Sequence, residues 1–67
     1  MNIVLNNTST AFERDSLNVE ELLAAMHFIF PMIIVKVNAR LIKKEAYKET
    51  IIHDGDVVEA IHLISGG

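Results

Sequence analysis

The sequence predicts a small α+β domain, a mixed sheet of four to five strands packed on one main helix, and three observations predict it. An alternating β-rich segment opens the chain, a helix-capping pattern sits at Asn18, and β-branched runs return at Ile33 and Val57, the second directly behind a Gly-Asp turn. The 67 residues contain 51% hydrophobic side chains and one proline, which places them in one folded domain and not in a disordered segment.

Residues 2–6 alternate around Ile3, Val4 and Leu5, and Asn6-Asn7-Thr8-Ser9 supplies turn formers before a second short strand around 10–13. The alternation places Ile3 and Leu5 on one side and Val4 on the other. Asn18 is the expected N-cap, with Glu21 three positions on to complete a capping box and with Leu17 and Leu22 placed as a hydrophobic staple. Val19, Leu22, Leu23 and Met26 then form one stripe of a helix over 19–27, with Glu20 and Glu21 at the positive end of its dipole. Met26 and Phe28 could be taken for a ligand box, but a stripe at helical spacing is the pattern of a core.

Pro31 is expected to end the helical region, and Ile33 to Val37 is a β-branched strand. The connection 28–32 is apolar enough that whatever the core leaves exposed would mark a partner surface or an aggregation liability. Asn38-Ala39-Arg40 reads as a tight turn into a short strand at Leu41-Ile42, and residues 43–49 as a surface turn of helix pinned by Tyr47. His53-Asp54-Gly55-Asp56 is a turn with Gly55 at positive φ; the spacing is too short, and other oxygen donors too few, to favour a cation loop.

The last strand, 57–63, carries the main inference. Glu59 is poorly suited to a small core, so Val58 and Ala60 face inward while Ile61 and Leu63 are presented outward. Val4 and Ile34 join that outer face if Ile3, Leu5, Ile33, Val35 and Val37 face the helix. Such a one-sided apolar patch suits docking, although stray apolar residues also occur at sheet edges. Behind the strand come Ser65, Gly66 and Gly67, a flexible tail following a domain over 1–64. Two glycines can fray, or they can thread a slot too narrow for any other residue, reaching roughly 10 Å with Ser65 when extended.

Composition narrows the chemistry. There is no cysteine, hence no disulfide framework, thiolate zinc site or cysteine nucleophile. The net charge of −3 is the wrong sign for phosphate-backbone affinity, so no nucleic-acid partner is expected. The longest apolar run, 28–35, is well under the roughly 20 residues a membrane span needs. A cytoplasmic protein with no membrane partner is expected. A domain of this size buries only about 60% of its unfolded surface, which disfavours a self-sufficient enzyme. Ser65 has nothing near it in sequence to activate it, His62 reads as a structural or solvated strand histidine, and His27, His53 and His62 show no metal spacing.

This arrangement is the ubiquitin-like β-grasp order, and the residues resemble one family within it. The Asn18-Val19-Glu20-Glu21-Leu22-Leu23 helix start, Val37-Asn38 leading to Leu41-Ile42, Asp54-Gly55-Asp56 and the closing Gly66-Gly67 are similar to those of the ThiS family, the bacterial sulfur carriers of thiamine (thiazole) biosynthesis. Lys43 and Lys44 stand where that family often has a proline and an arginine, and Tyr47 where a tryptophan is common.

The resemblance implies a carrier and not a catalyst, with no cofactor bound. A ThiF-type adenylating enzyme related to ubiquitin activators would use ATP and Mg²⁺ to adenylate the Gly67 carboxylate. Sulfur from a cysteine desulfurase, direct or through a relay sulfurtransferase, would displace AMP to leave a thiocarboxylate, which thiazole synthase would consume. Gly66 and Ser65 would serve as slender spacers, and Val4, Ile34, Ile61 and Leu63 as the partner-binding face. Two other readings stand beside this one: a carrier for molybdopterin or tRNA thiolation, and a β-grasp binding module without tail chemistry.

Overall fold

A five-stranded sheet in the order β2-β1-β7-β4-β5 forms the body of the computed structural model, which describes residues 1–63. Its strands are β1 (Asn2–Leu5), β2 (Thr8–Ala11), β4 (Ile33–Val37), β5 (Arg40–Ile42) and β7 (Val57–His62). A separate two-stranded ribbon joins β3 (Ser16–Asn18) to β6 (Ile51–His53), and one helix, α1 (Val19–Ala25), completes the fold. β7 lies at the centre of the larger sheet, parallel to β1 and antiparallel to β4.

The first hairpin begins its return two residues earlier than the sequence suggests, at Thr8 and not near Thr10. Asn6 and Asn7 take φ of 50° and 65°, the left-handed pair that a two-residue hairpin turn needs, so Leu5 pairs with Thr8 at once. Asn38 and Ala39, at 51° and 68°, make the same kind of turn between β4 and β5. Gly55 has φ of 87°, as its place in a turn predicts.

The capping box at α1 is complete. Glu21 N–H donates to Asn18 Oδ1 at 2.7 Å, and Asn18 N–H donates to Glu21 Oε1 at 3.0 Å. That backbone donor, followed by the Arg14 guanidinium 3.0 Å away, holds the Glu21 carboxyl below the usual glutamate range. The helix ends at Ala25, short of the expected 27, and Pro31 is not what ends it. His27 adopts φ of 57°, its N–H donates to Ala24 O at 3.1 Å, and Phe28 N–H donates to Leu23 O at 2.8 Å, which is a Schellman closure.

Val19 and Leu22 are fully buried and Leu23 nearly so, packed with Ile3, Leu5, Val35, Ile52 and Val58 in one core. Met26 and Phe28 pack against that core, as the helical stripe predicts. A 3-10 turn at Lys44–Ala46 carries Tyr47 onto the same core, where burial, and then the charge of Glu45, push its phenol pKa up. Val19 N–H donates to both Tyr47 O (3.1 Å) and Thr50 O (3.0 Å), which ties this turn to the start of the helix.

Candidate functional site

The strand that leads toward Gly67 is gripped on both sides. Val58 and Ala60 are buried at 0% and 6% exposure, while Val57 and Ile61 are exposed on the other side, so the strand faces as Glu59 predicts. Ile34 is the register partner of Ile61 on β4, half-buried, and Leu63 follows at 40% exposure with its N–H donating to Met32 O at 2.9 Å. Ile34, Ile61 and Leu63 thus form one apolar cluster near the end of β7. Val4 shares the outer face but pairs with Val57, roughly 13 Å along the strand from Ile61 at the usual rise per residue. Lys36 and Glu59 face each other in register between the two apolar zones.

The connection 28–32 divides by function. Phe28 closes the core, Ile29 projects at 82% exposure, and Met32 is exposed at 52%. Phe30 turns to the last strand, where its ring stacks on His62 with centroids 3.9 Å apart and planes 13° apart; Phe28 lies 6.2 Å from Phe30 on its own account. His62 has inward parity, but the core ends at Ala60, so its ring meets Phe30 at the margin and remains exposed. Phe30, Ile33 and Leu41 also border an open groove of about 510 Å³ with Lys43, Lys44 and Tyr47 at its other side.

At the opposite end of β7 the acidic turn is spent on two backbone N–H groups and the Asn38 side-chain amide. Asp54 Oδ1 accepts from Asn2 N–H at 2.7 Å, Asp56 Oδ2 from His53 N–H at 2.9 Å, and Asp56 Oδ1 from Asn38 Nδ2 at 3.1 Å. Each carboxylate is oriented by the fold as a turn acceptor. Among the described residues, no three His, Cys, Asp or Glu side chains converge as a metal site, and no helix is long and apolar enough to cross a membrane. Ser65, Gly66 and Gly67, the tail read from the sequence, lie outside the described residues, as does the last residue of the expected 1–64 domain.

Sequence reasoning treated Asn6 only as a turn former. Its side chain bonds both the N–H and the C=O of Ala60, at 2.8 and 3.1 Å, across 54 positions. Asn-Asn between alternating strands signals the turn, and nothing local signals the remote partner.

The geometry has close counterparts. A curated relative, the sulfur carrier protein ThiS of Bacillus subtilis (strain 168), is 33% identical over 63 residues, covering 94% of this chain and 96% of that protein. The crystal structure of the thiamine biosynthesis protein ThiS from Geobacter metallireducens superposes with a TM-score of 0.89 at 33% identity, each chain covered completely. A solution structure of a thiamine biosynthesis protein from the same organism gives 0.83 at 36% identity, covering 100% of this chain and 88% of that one. The family model of the ThiS family matches residues 3–67. The β-grasp fold, the register of β7 and the match through Gly67 together establish that the chain belongs to the ThiS family.

Proposed function

We propose that this chain is a sulfur carrier whose Gly67 carboxylate is adenylated and then converted to a thiocarboxylate that supplies sulfur to the thiazole of thiamine. The observation that carries this reading is the family match running to Gly67 behind a central strand with an apolar outer face. A carboxylate is a poor acyl donor, so a ThiF-type enzyme, using ATP with Mg²⁺ and releasing pyrophosphate, must first install AMP as a leaving group. The outer sulfur of a cysteine-desulfurase persulfide, direct or relayed, then attacks the acyl carbon and displaces AMP, and a thiol cleaves the resulting acyl disulfide reductively to release the thiocarboxylate. The resulting thiocarboxylate is itself the nucleophile, so the carrier needs no cysteine, and it has none.

Gly66 and Ser65 are the slender segment that enters the partner's slot, and Ile34, Ile61 and Leu63, flanked by Val4, are the face that docks on the adenylating enzyme and then on thiazole synthase. These encounters take place in the cytoplasm. The test is intact-mass spectrometry after incubation with a ThiF-type enzyme, ATP and a sulfur source. The expected result is the replacement of one oxygen by sulfur at Gly67, and no replacement in protein lacking Gly67. An unchanged mass with an enzyme active on its own carrier would overturn the reading.

A further inference from the structure

The outward positions of the two central strands carry a short ordered pattern. On β4 they are Ile34 and Lys36, and on β7 they are Val57, Glu59 and Ile61, with Ile34 opposite Ile61 and Lys36 opposite Glu59. Lys36 and Glu59 are both half-buried. The one ion pair among the described residues is Arg14–Glu21, so the Lys36 ammonium and the Glu59 carboxylate do not bond each other across the strands. Exposed apolar residues flank them: Leu41 pairs with Lys36 from β5, and Val4 pairs with Val57 from β1.

This face is complementary to itself. A two-fold axis in the contact plane, parallel to the strands and midway between β4 and β7, exchanges left with right and keeps each residue at its own level. It sets β4 of one copy over β7 of the other. Lys36 then falls on the second copy's Glu59, Ile34 on its Ile61 and Met32 on its Leu63, each contact made twice. Leu41 falls over β1, where Val4 is the outward apolar residue. Sheets packed face to face stand about 10 Å apart, a gap that Lys and Glu side chains bridge from opposite sides and isoleucines fill. The other in-plane axis through the same point, across the strands, sets Lys36 on Lys36 and Glu59 on Glu59, and like charges in contact oppose association. The charges therefore select one arrangement of the two.

We propose that the outer face of the sheet docks a second copy of this chain, β4 on β7, around a square of alternating Lys36 and Glu59 side chains. Charge complementarity argues for this occupant: a wholly apolar partner would cover both charges and leave them unpaired. The square gives the contact its register more than its strength, and the small apolar area makes the dimer a weak one. The inference does not rest on the carrier reading. The contact covers Ile61, so self-association and the docking proposed for the adenylating enzyme exclude each other.

The test is sedimentation equilibrium of the full chain at low ionic strength, up to roughly 1 mM because small interfaces bind weakly. The expected result is a monomer–dimer equilibrium. Lys36→Glu and Glu59→Lys should each weaken it at least about tenfold, since either change sets like charges together. An equimolar mixture of the two variants should associate as tightly as the unaltered chain, because one brings only carboxylates to the square and the other only ammonium groups. A chain carrying both changes should likewise recover self-association. Isotope-filtered NOEs between Ile34 and Ile61 methyl groups of different copies read the same arrangement without any substitution, and decide the matter if a variant fails to fold. A monomer throughout the concentration range overturns the proposal. So does a dimer indifferent to both charge reversals, a mixture no tighter than its separate variants, or a dimer without the Ile34–Ile61 NOEs.

Discussion

The two ends of β7 are held by different physics. At its start, Asn38 Oδ1 accepts from Val57 N–H at 2.9 Å while Asp56, Asp54 and Gly55 bond to His53, Asn38 and Asn2, so three separate segments converge through hydrogen bonds, several of them to carboxylates. At its far end, the ties among the described residues beyond the pairing with β4 are one neutral side-chain amide, one ring stack and one backbone bond to Met32. Each end is gripped by an asparagine in the left-handed first position of a hairpin turn, Asn38 at one and Asn6 at the other. The difference teaches where the fold invests rigidity. Charged acceptors lock the start of β7 and not its far end, although apolar side chains are exposed at both, Val4 and Val57 at the start and Ile61 and Leu63 at the far end.

The comparison breaks most visibly at the far end. Ile61 is 46% exposed, so Ile61→Asp should disturb folding little. Affinity for a ThiF-type enzyme, measured by calorimetry, should fall by about thirtyfold, the scale of an interface hot spot. A larger loss of thermal stability than of affinity would assign Ile61 to the fold and not to docking. At the start of the strand the expectation reverses. Asp56→Ala removes the acceptor of His53 N–H and Asn38 Nδ2, both reachable by water, and should cost about 1 kcal/mol in urea unfolding, while the adenylation rate of the folded protein stays the same. A slowed rate in fully folded Asp56→Ala would show that the two ends are coupled.

What was legible in the sequence follows the range of the interactions. The inward Ile3 and Leu5, the Asn18–Glu21 box and the Gly55 turn are local patterns, and each lies where its pattern places it. The β3–β6 ribbon was not legible, because three residues are too few to display a period. Leu17 and Ile52, its buried centre, read instead as a staple and as a lead-in to a turn. The helix end was misplaced because its left-handed residue is His27, which carries no glycine signal. In the candidate site, one charge, Glu59, was enough to orient β7. The Asn6 clasp was invisible because its partner is set by tertiary register, and register by turn geometry at both hairpins.

The smallest expected effect is also the most discriminating one. Phe30 and His62 stack face to face at the exposed end of β7, whereas Asn38 and Asp56 share an exposed hydrogen bond at the other. Double-mutant cycles to alanine measure each coupling without the burial lost by either side chain alone. The Phe30–His62 cycle should return about 1 kcal/mol, as for aromatic pairs generally. The Asn38–Asp56 coupling should be of similar size, since the bond is charge-assisted but reachable by water. What separates the ends is the effect of a partner. Saturating adenylating enzyme should change the Phe30–His62 coupling if the proposed docking covers the adjoining Ile61 and Leu63, and should leave the Asn38–Asp56 coupling as it was. Equal changes at both ends would mean that the partner grasps the whole outer face, Val4 included, and that the division between a locked end and a presented end is wrong.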